Sequence, residues 1–431
     1  MVKKTTVVLF LLTVFSLPFV NIFYLTIFEQ KVLITELLFL LTALFFISSV
    51  LKTEMKFEIR TFYFPLILYL IALALSVVFS TDLKTSSIKF VGVTYLVGLA
   101  VLAFNLIKDF KIAKWVCFVW LVGSFLSAFA AIVTIFLFYF DRSNLIFNYT
   151  LFHYGTLPVG NYPRIQSTFL NANMYCHFLS ISWLLLFTSH KMNWIGNYVL
   201  WVLIAFFSIA SAFTISPSLG GIGLGLGLWF WISLKGRNKR VLATGTLVIG
   251  ICFAVMFLIA TVVTVQIPKD TTSIPNAIDK LKFGSSVRVR TWKAAADTLF
   301  ENPIFGRGLG TESVEVRYLS LQGIRQRLTD AHQLFLNIAA QSGIIGLLAV
   351  LFLGFWLLRN ALPFEMKKEK DVLRTGLGIA FFSSFFYQGL SGSFEDARHL
   401  WVLIGFLGAV SQDGFPTAPV NPTSSETELS H

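Results

Sequence analysis

Apolar residues run almost unbroken through long windows of this chain, and polar residues collect in the connections between them. A membrane-spanning helix needs roughly 20 mostly apolar residues. Windows of that kind lie near 5–25, 32–51, 62–79, 88–106, 115–139, 173–189, 195–214, 218–234, 241–265, 333–358, 373–390 and 398–412. A helix surrounded by lipid and other helices is apolar all round, so periodicity within each window says little. The short alternating segments of a membrane barrel are missing from the sequence. The pattern predicts an all-α polytopic membrane protein with about twelve transmembrane helices. It places one unit over 1–412 and a Pro-, Ser- and Thr-rich tail, expected to be disordered and cytoplasmic, over 413–431.

Composition agrees: 56% of residues are hydrophobic and 13% charged, far from a soluble domain of this length. The net charge of +12 does not point to nucleic acid, because the basic residues sit in alternate connections. They are Lys3 and Lys4; Lys52, Lys56 and Arg60; Lys108, Lys111 and Lys114; Lys191; Lys235, Arg237, Lys239 and Arg240; and Arg359, Lys367, Lys368, Lys370 and Arg374. With twelve spans all of these share one side, which the positive-inside rule makes cytoplasmic, together with both termini. The first span, with no small-residue cleavage site behind it, reads as uncleaved. Cys117, Cys176 and Cys252 have no disulfide or metal spacing. Two longer segments face outward, about 140–172 and about 266–332, and the second carries ten Lys and Arg. The rule discounts long translocated loops, so this positive charge calls for another explanation, such as an anionic, lipid-linked substrate.

The outward segments hold the candidate chemistry. The first ends in Arg164, Phe169, Asn171 and Asn173. In the second, the stretch from Arg288 to Phe300 is amphipathic and predicts a helix near the membrane surface; Asn302-Pro303 ends it, and Gly306, Gly308 and Gly310 predict a flexible turn. A further polar helix is expected over about 311–327, carrying Arg317, Arg325 and Arg327, which with Arg307 read as an electrostatic surface. Then comes Asp330-Ala331-His332-Gln333, at the start of a long apolar run. The partial positive charge of a helix N-terminus and nearby arginines keep such an imidazole neutral, able to accept a proton. The plainer reading makes His332 a helix cap. Asp330 either orients His332 or caps the helix. Arg288 either binds phosphate through its planar fork or anchors at the interface. Arg290, two residues on, points elsewhere on the helix.

Glu395 and Asp396 form a weaker candidate base, and His153, His177, His190 and His399 read as structural. The glycines of 220–227 lie inside a membrane helix with no preceding strand, which favours close helix packing over nucleotide binding. No DxD, HExxH or outward carboxylate cluster is present in the sequence, so no metal or other cofactor is expected.

Taken together, Arg164 with Phe169, Asn171 and Asn173, then Arg288-x-x-x-Trp292 and Asn302-Pro303-x-x-Gly306-x-Gly308, then His332, resemble the O-antigen ligase/polymerase family of polytopic membrane enzymes. His332-Gln333, nine residues, and Gly343-Ile344-Ile345-Gly346 match the family's His-(Asn/Ser/Gln)-x9-Gly-x-x-Gly pattern, associated with its ligase branch. One element departs: Ser218-Leu219-Gly220 stands where members carry a Ser-Arg-Gly-like sequence, so Leu219 replaces an expected phosphate ligand whose charge Arg164, Arg290 or Arg307 could supply. The resemblance implies a GT-C type glycosyltransferase of the bacterial inner membrane, with a helical periplasmic loop region between the ninth and tenth spans. It implies inverting, metal-independent transfer of a glycan from undecaprenyl diphosphate to lipid A–core, with His332 as general base. Arg288, Arg164 and Arg290 would bind the diphosphate or glycan, supported by Asp330, Gln333, Trp292, Asn171, Asn173, Gly343 and Gly346. A polymerase that extends lipid-linked repeats is the alternative within the class, and a protein-glycosylating relative also exists. A transporter of lipid-linked glycan would instead show midplane charges and symmetrically broken helices, and the sequence displays neither.

Overall fold

A computed structural model of the chain describes residues 2–22, 24–27, 30–140, 152–154, 163–234, 237–266, 282–310, 313–319 and 325–416. Thirteen helices are described: α1 (Val2–Ser16), α2 (Ile34–Leu51), α3 (Tyr63–Val78), α4 (Leu83–Leu106), α5 (Phe110–Phe140), α6 (Ala172–Lys191), α7 (Asn197–Thr214), α8 (Leu219–Ser233), α9 (Arg237–Val262), α10 (Val287–Glu301), α11 (Leu334–Ala361), α12 (Glu369–Phe381) and α13 (Arg398–Ser411). Six are long and apolar enough to cross a membrane: α2, α4, α5, α7, α9 over Lys239–Val262, and α11; α3, α8 and α13 are shorter apolar helices. The chain is therefore a mostly helical, multi-pass membrane protein.

Successive helices run back and forth between two polar ends, as local contacts show. At one end Lys3 N–H meets Glu54, Lys108 bonds Glu58, and the Lys370 ammonium donates to the Gln412 carbonyl. At the other end the Arg164 side chain bonds the last residue of α7, Ser286 bonds the last turn of α9, and Arg398 bonds Glu36 in the first turn of α2. Between them the core is dense with aromatic and aliphatic side chains, including Phe62 stacked on Phe104 and Trp120 on Phe178. The glycines of α8 do pack closely. A side chain added at Gly250 of α9 would collide with the Gly223 carbonyl, and one added at Gly220 with the Tyr387 hydroxyl.

Several expectations change. The first helix stops at Ser16 instead of near 25, because Pro18 disfavours helical backbone before it. A strand pair, β1 (Tyr24–Ile27) with β2 (Gln30–Leu33), then turns the chain back. Three more antiparallel pairs qualify the all-α expectation: β3 (Phe152–Tyr154) with β4 (Pro163–Ile165), β5 (Val263–Gln266) with β6 (Lys282–Ser285), and β7 (Val316–Leu319) with β8 (Arg325–Leu328). The last pair stands where a polar helix was expected over 311–327, of which 311–312 and 320–324 lie outside the described residues. Arg317 faces Arg327 across it, and both guanidinium groups bond Glu315. Cross-strand pairing satisfies backbone groups that the helix would have satisfied internally. The helix expected at 373–390 is α12 followed by a π-helical stretch, Phe382–Tyr387. The tail expectation falls, from residue 417 onward, outside the described residues.

Candidate functional site

α11 is not continuous: Gly343 sits inside it with φ +63° and ψ −165°. The break frees backbone groups on both sides, and the 303–308 segment takes them up. Arg307 N–H donates to the Ala340 carbonyl (3.0 Å) and Gly308 N–H to that of Gln341 (2.9 Å), while Ile344 N–H donates to Pro303 (2.9 Å). A side chain at Gly343 would collide with the Ile304 carbonyl, so the close approach demands glycine. The turn at Gly306, Gly308 and Gly310 is thus fixed, not flexible. Thr81 N–H and the Ser86 hydroxyl add further bonds, to the Arg307 and Leu309 carbonyls. The sequence had given no sign of a broken helix; it is one break, and backbone fills it. Gly346 packs on the Ser342 side chain one turn later.

His332 lies two residues before the start of α11. Its backbone is left-handed, with φ +50°, a conformation uncommon outside glycine that histidine adopts more readily than most. The Asp330 carboxylate holds it by accepting from His332 N–H, and the Ser393 hydroxyl donates to the same carboxylate oxygen. His332 Nδ1 lies 3.7 Å from Asp330 Oδ1, with 41% of the His332 side chain exposed. Crowding by protein pushes the imidazole pKa below its usual 6.5; Asp330 opposes the shift and the Arg288 charge adds to it. Gln333, not His332, is the cap of α11, through Leu336 N–H.

Arg288 stands on the first turn of α10, which Ser286 caps. Its Nη1 donates to the Ser391 carbonyl at 2.7 Å. Thr291, one turn on, bonds the Ala331 carbonyl (3.2 Å), tying α10 to the His332 loop. Burial lowers the Arg288 pKa to about 10; after burial, the like charge of Arg164 weighs on it more than the opposite charge of Asp330. Arg164, on β4, donates from Nε to the Thr214 carbonyl (3.0 Å) and from Nη2 to Asn173 Oδ1 (2.7 Å). Ser216 also donates to that Asn173 oxygen (2.8 Å). These bonds tie Arg164 to the segment that leads into α8, whose first residue is Leu219.

The structure therefore brings together His332, Asp330, Arg288, Arg164 and Asn173. Arg290 is exposed and joins none of these contacts, as a two-residue offset on a helix requires. Asn171 caps α6 through Met174 N–H (2.8 Å). Phe169 is buried against Tyr175 and Phe178. Trp292 is half-buried, and its Nε1 has no hydrogen-bond partner among the described residues.

Sequence reasoning ranked the 393–396 loop too low. Glu395 receives a bond from Asn337 on α11, while its other oxygen is buried without a partner among the described residues. Burial, then Asp396 and Asp330, push its pKa up to about 8, so the carboxyl is largely protonated at neutral pH. Asp396 pairs with Lys89 of α4. Adjacent acidic residues on a short loop were the signal, but nothing in the sequence pairs Asn337 or Lys89 with them. His177 and His399 touch each other at 2.6 Å in the interior, beneath Phe394.

The family described as O-antigen ligase matches residues 200–351. The matched stretch contains Arg288, Trp292, Asn302-Pro303, His332, Gly343 and Gly346, whereas Arg164 precedes it. No curated protein matches the chain. Over 200–351, a stretch that holds those motifs, this multi-pass membrane protein is therefore similar to the O-antigen ligase family.

Proposed function

We propose that the protein is a ligase that moves a preassembled glycan from undecaprenyl diphosphate to lipid A–core, at the periplasmic face of the bacterial inner membrane. The observation that carries this reading is Arg288: a half-buried cation within the electrostatic reach of a second arginine and of a neutral imidazole. Two guanidinium groups repel each other unless an anion joins them, and a diphosphate matches their forked donors.

Asp330, facing Nδ1, favours the imidazole tautomer with its proton there, which leaves Nε2 to accept. The acceptor hydroxyl loses its proton to Nε2 as its oxygen bonds the anomeric carbon from the face opposite the diphosphate. The bond from that carbon to the phosphate oxygen breaks, its electron pair leaves with undecaprenyl diphosphate, and configuration inverts. Arg288 and Arg164 stabilise the charge that develops on the leaving group, a large contribution in such reactions. Arg164 thereby does the work of the arginine missing at Leu219.

Purified protein is incubated with undecaprenyl-diphosphate glycan and either lipid A–core or excess donor. Glycan transferred to core supports the ligase reading; a lengthened donor glycan makes the protein a polymerase. No covalent product in either mixture would defeat the enzymatic reading and favour a carrier of lipid-linked glycan.

A further inference from the structure

A cavity of about 530 Å³ opens between the start of α5 and the turn joining α6 to α7. Along α6, Ser189 at this cavity lies 18 residues from Asn171, about 27 Å from the arginine end of the molecule. Nothing in glycan transfer uses it. Lys111, Lys114, Trp115, Phe118 and Leu121 line one side, at spacings that share one helix face. Trp194 and Ile195 line the other. Both lysines are exposed at the rim, whereas Cys117 and Leu121 are buried in the wall. Ser189 also lines the cavity. It is 1% exposed, and its hydroxyl has no strong hydrogen-bond partner among the described residues. The Cys117 thiol beside it is too weak a partner to satisfy it.

We propose that this cavity binds an anionic glycerophospholipid. The acyl chains fill the apolar wall between Phe118 and Leu121. The phosphate meets Lys111 and Lys114, and an ester oxygen accepts from the Ser189 hydroxyl. A buried donor without a partner costs free energy, and a lipid ester supplies the acceptor. Two lysines with no carboxylate among the lining residues select an anionic headgroup. The tryptophans suit the same depth, with apolar rings and a polar edge at the headgroup level. The bound lipid would fasten the start of α5 to the α6–α7 turn.

Full-length protein, purified in uncharged detergent and stripped of lipid, is given phosphatidylglycerol, phosphatidylcholine or inorganic phosphate. Retained lipid is counted by native mass spectrometry and stability is followed by thermal unfolding. Phosphatidylglycerol is expected to stay bound and raise the Tm, with phosphatidylcholine retained about tenfold less. K111Q/K114Q should abolish that preference, whereas K52Q/K56Q, which removes equal charge at exposed positions of the α2–α3 connection, should keep it. S189A, which deletes only a hydroxyl, should weaken retention with both lysines in place and guards against misfolding of the double variant. Equal retention of the two lipids, equal behaviour of the two double variants, an unchanged S189A, or reproduction of the shift by inorganic phosphate would each overturn the proposal.

Discussion

The basic end of the molecule and the surroundings of Arg288 handle charge differently. At the basic end, cations meet carboxylates in the open: Lys108 with Glu58 (3.1 Å), Arg60 with Glu58 (3.5 Å), Lys367 with Glu365 (2.9 Å). Lys108 and Arg60 hold the Glu58 pKa below its ordinary value. Such exposed pairs contribute little to stability. At the candidate site Arg288 is half-buried, bonds a backbone carbonyl, and is influenced more by Arg164 than by Asp330. Two cations within electrostatic reach of each other raise the cost of holding either charge.

The largest expected effect tests the second half of that contrast. His332→Ala should lower glycan transfer by roughly 10²–10⁴-fold, measured with saturating donor; full activity would end its role as base. Arg288→Lys should lose about 10²-fold, because an ammonium keeps the charge but not the fork. Wild-type rates in that variant would make Arg288 a mere interfacial anchor. Gly343→Ala acts on the fold. It forces a side chain into the Ile304 carbonyl at a left-handed position, and should cost about 3 kcal/mol or more in thermal unfolding.

A smaller effect concerns pH. The folded His332 pKa lies below its usual 6.5, so the imidazole is neutral at pH 7, and activity should fall only as pH drops beneath 6.5. In Asp330→Asn the supporting negative charge is gone, so that acid limb should move to still lower pH. In Arg288→Gln it should move up, with whatever rate remains. A limb that moves the other way in either variant would separate these groups electrostatically. Smallest of all, Lys108→Gln at the opposite end should alter transfer less than twofold and stability by less than about 1 kcal/mol. A large loss there would erase the distinction between the two ends.

Much of the fold was legible because long apolar windows have few alternatives in a membrane. α2, α3, α7 and α8 lie within two residues of their expected bounds. The 311–327 stretch failed because an exposed polar segment can satisfy its backbone by helix or hairpin, and polarity does not choose between them. At the candidate site, residue type, position and motif pointed to His332, Arg288 and Arg164, and the fold sets them within one another's electrostatic reach. Arg290 was overvalued for its nearness in sequence, although a helix turns it away. Glu395 was undervalued because its burial, and with it its raised pKa, depends on Asn337, Asp396 and Asp330 arriving from elsewhere.

By itself the sequence determined that this chain is helical and membrane-embedded, and that its arginines and His332 lie in the polar segments between apolar windows. Composition and local periodicity suffice for that, since each window or motif is continuous in the chain. Only the tertiary structure decided which charges meet. Arg164 and Arg288 are 124 positions apart in the chain, and packing of α7, α10 and the 391–396 loop brings their guanidinium groups within mutual influence. The role of Gly343 was also decided there. As a motif glycine it is a spacing, and in the fold it is the break through which the 303–308 backbone bonds into α11.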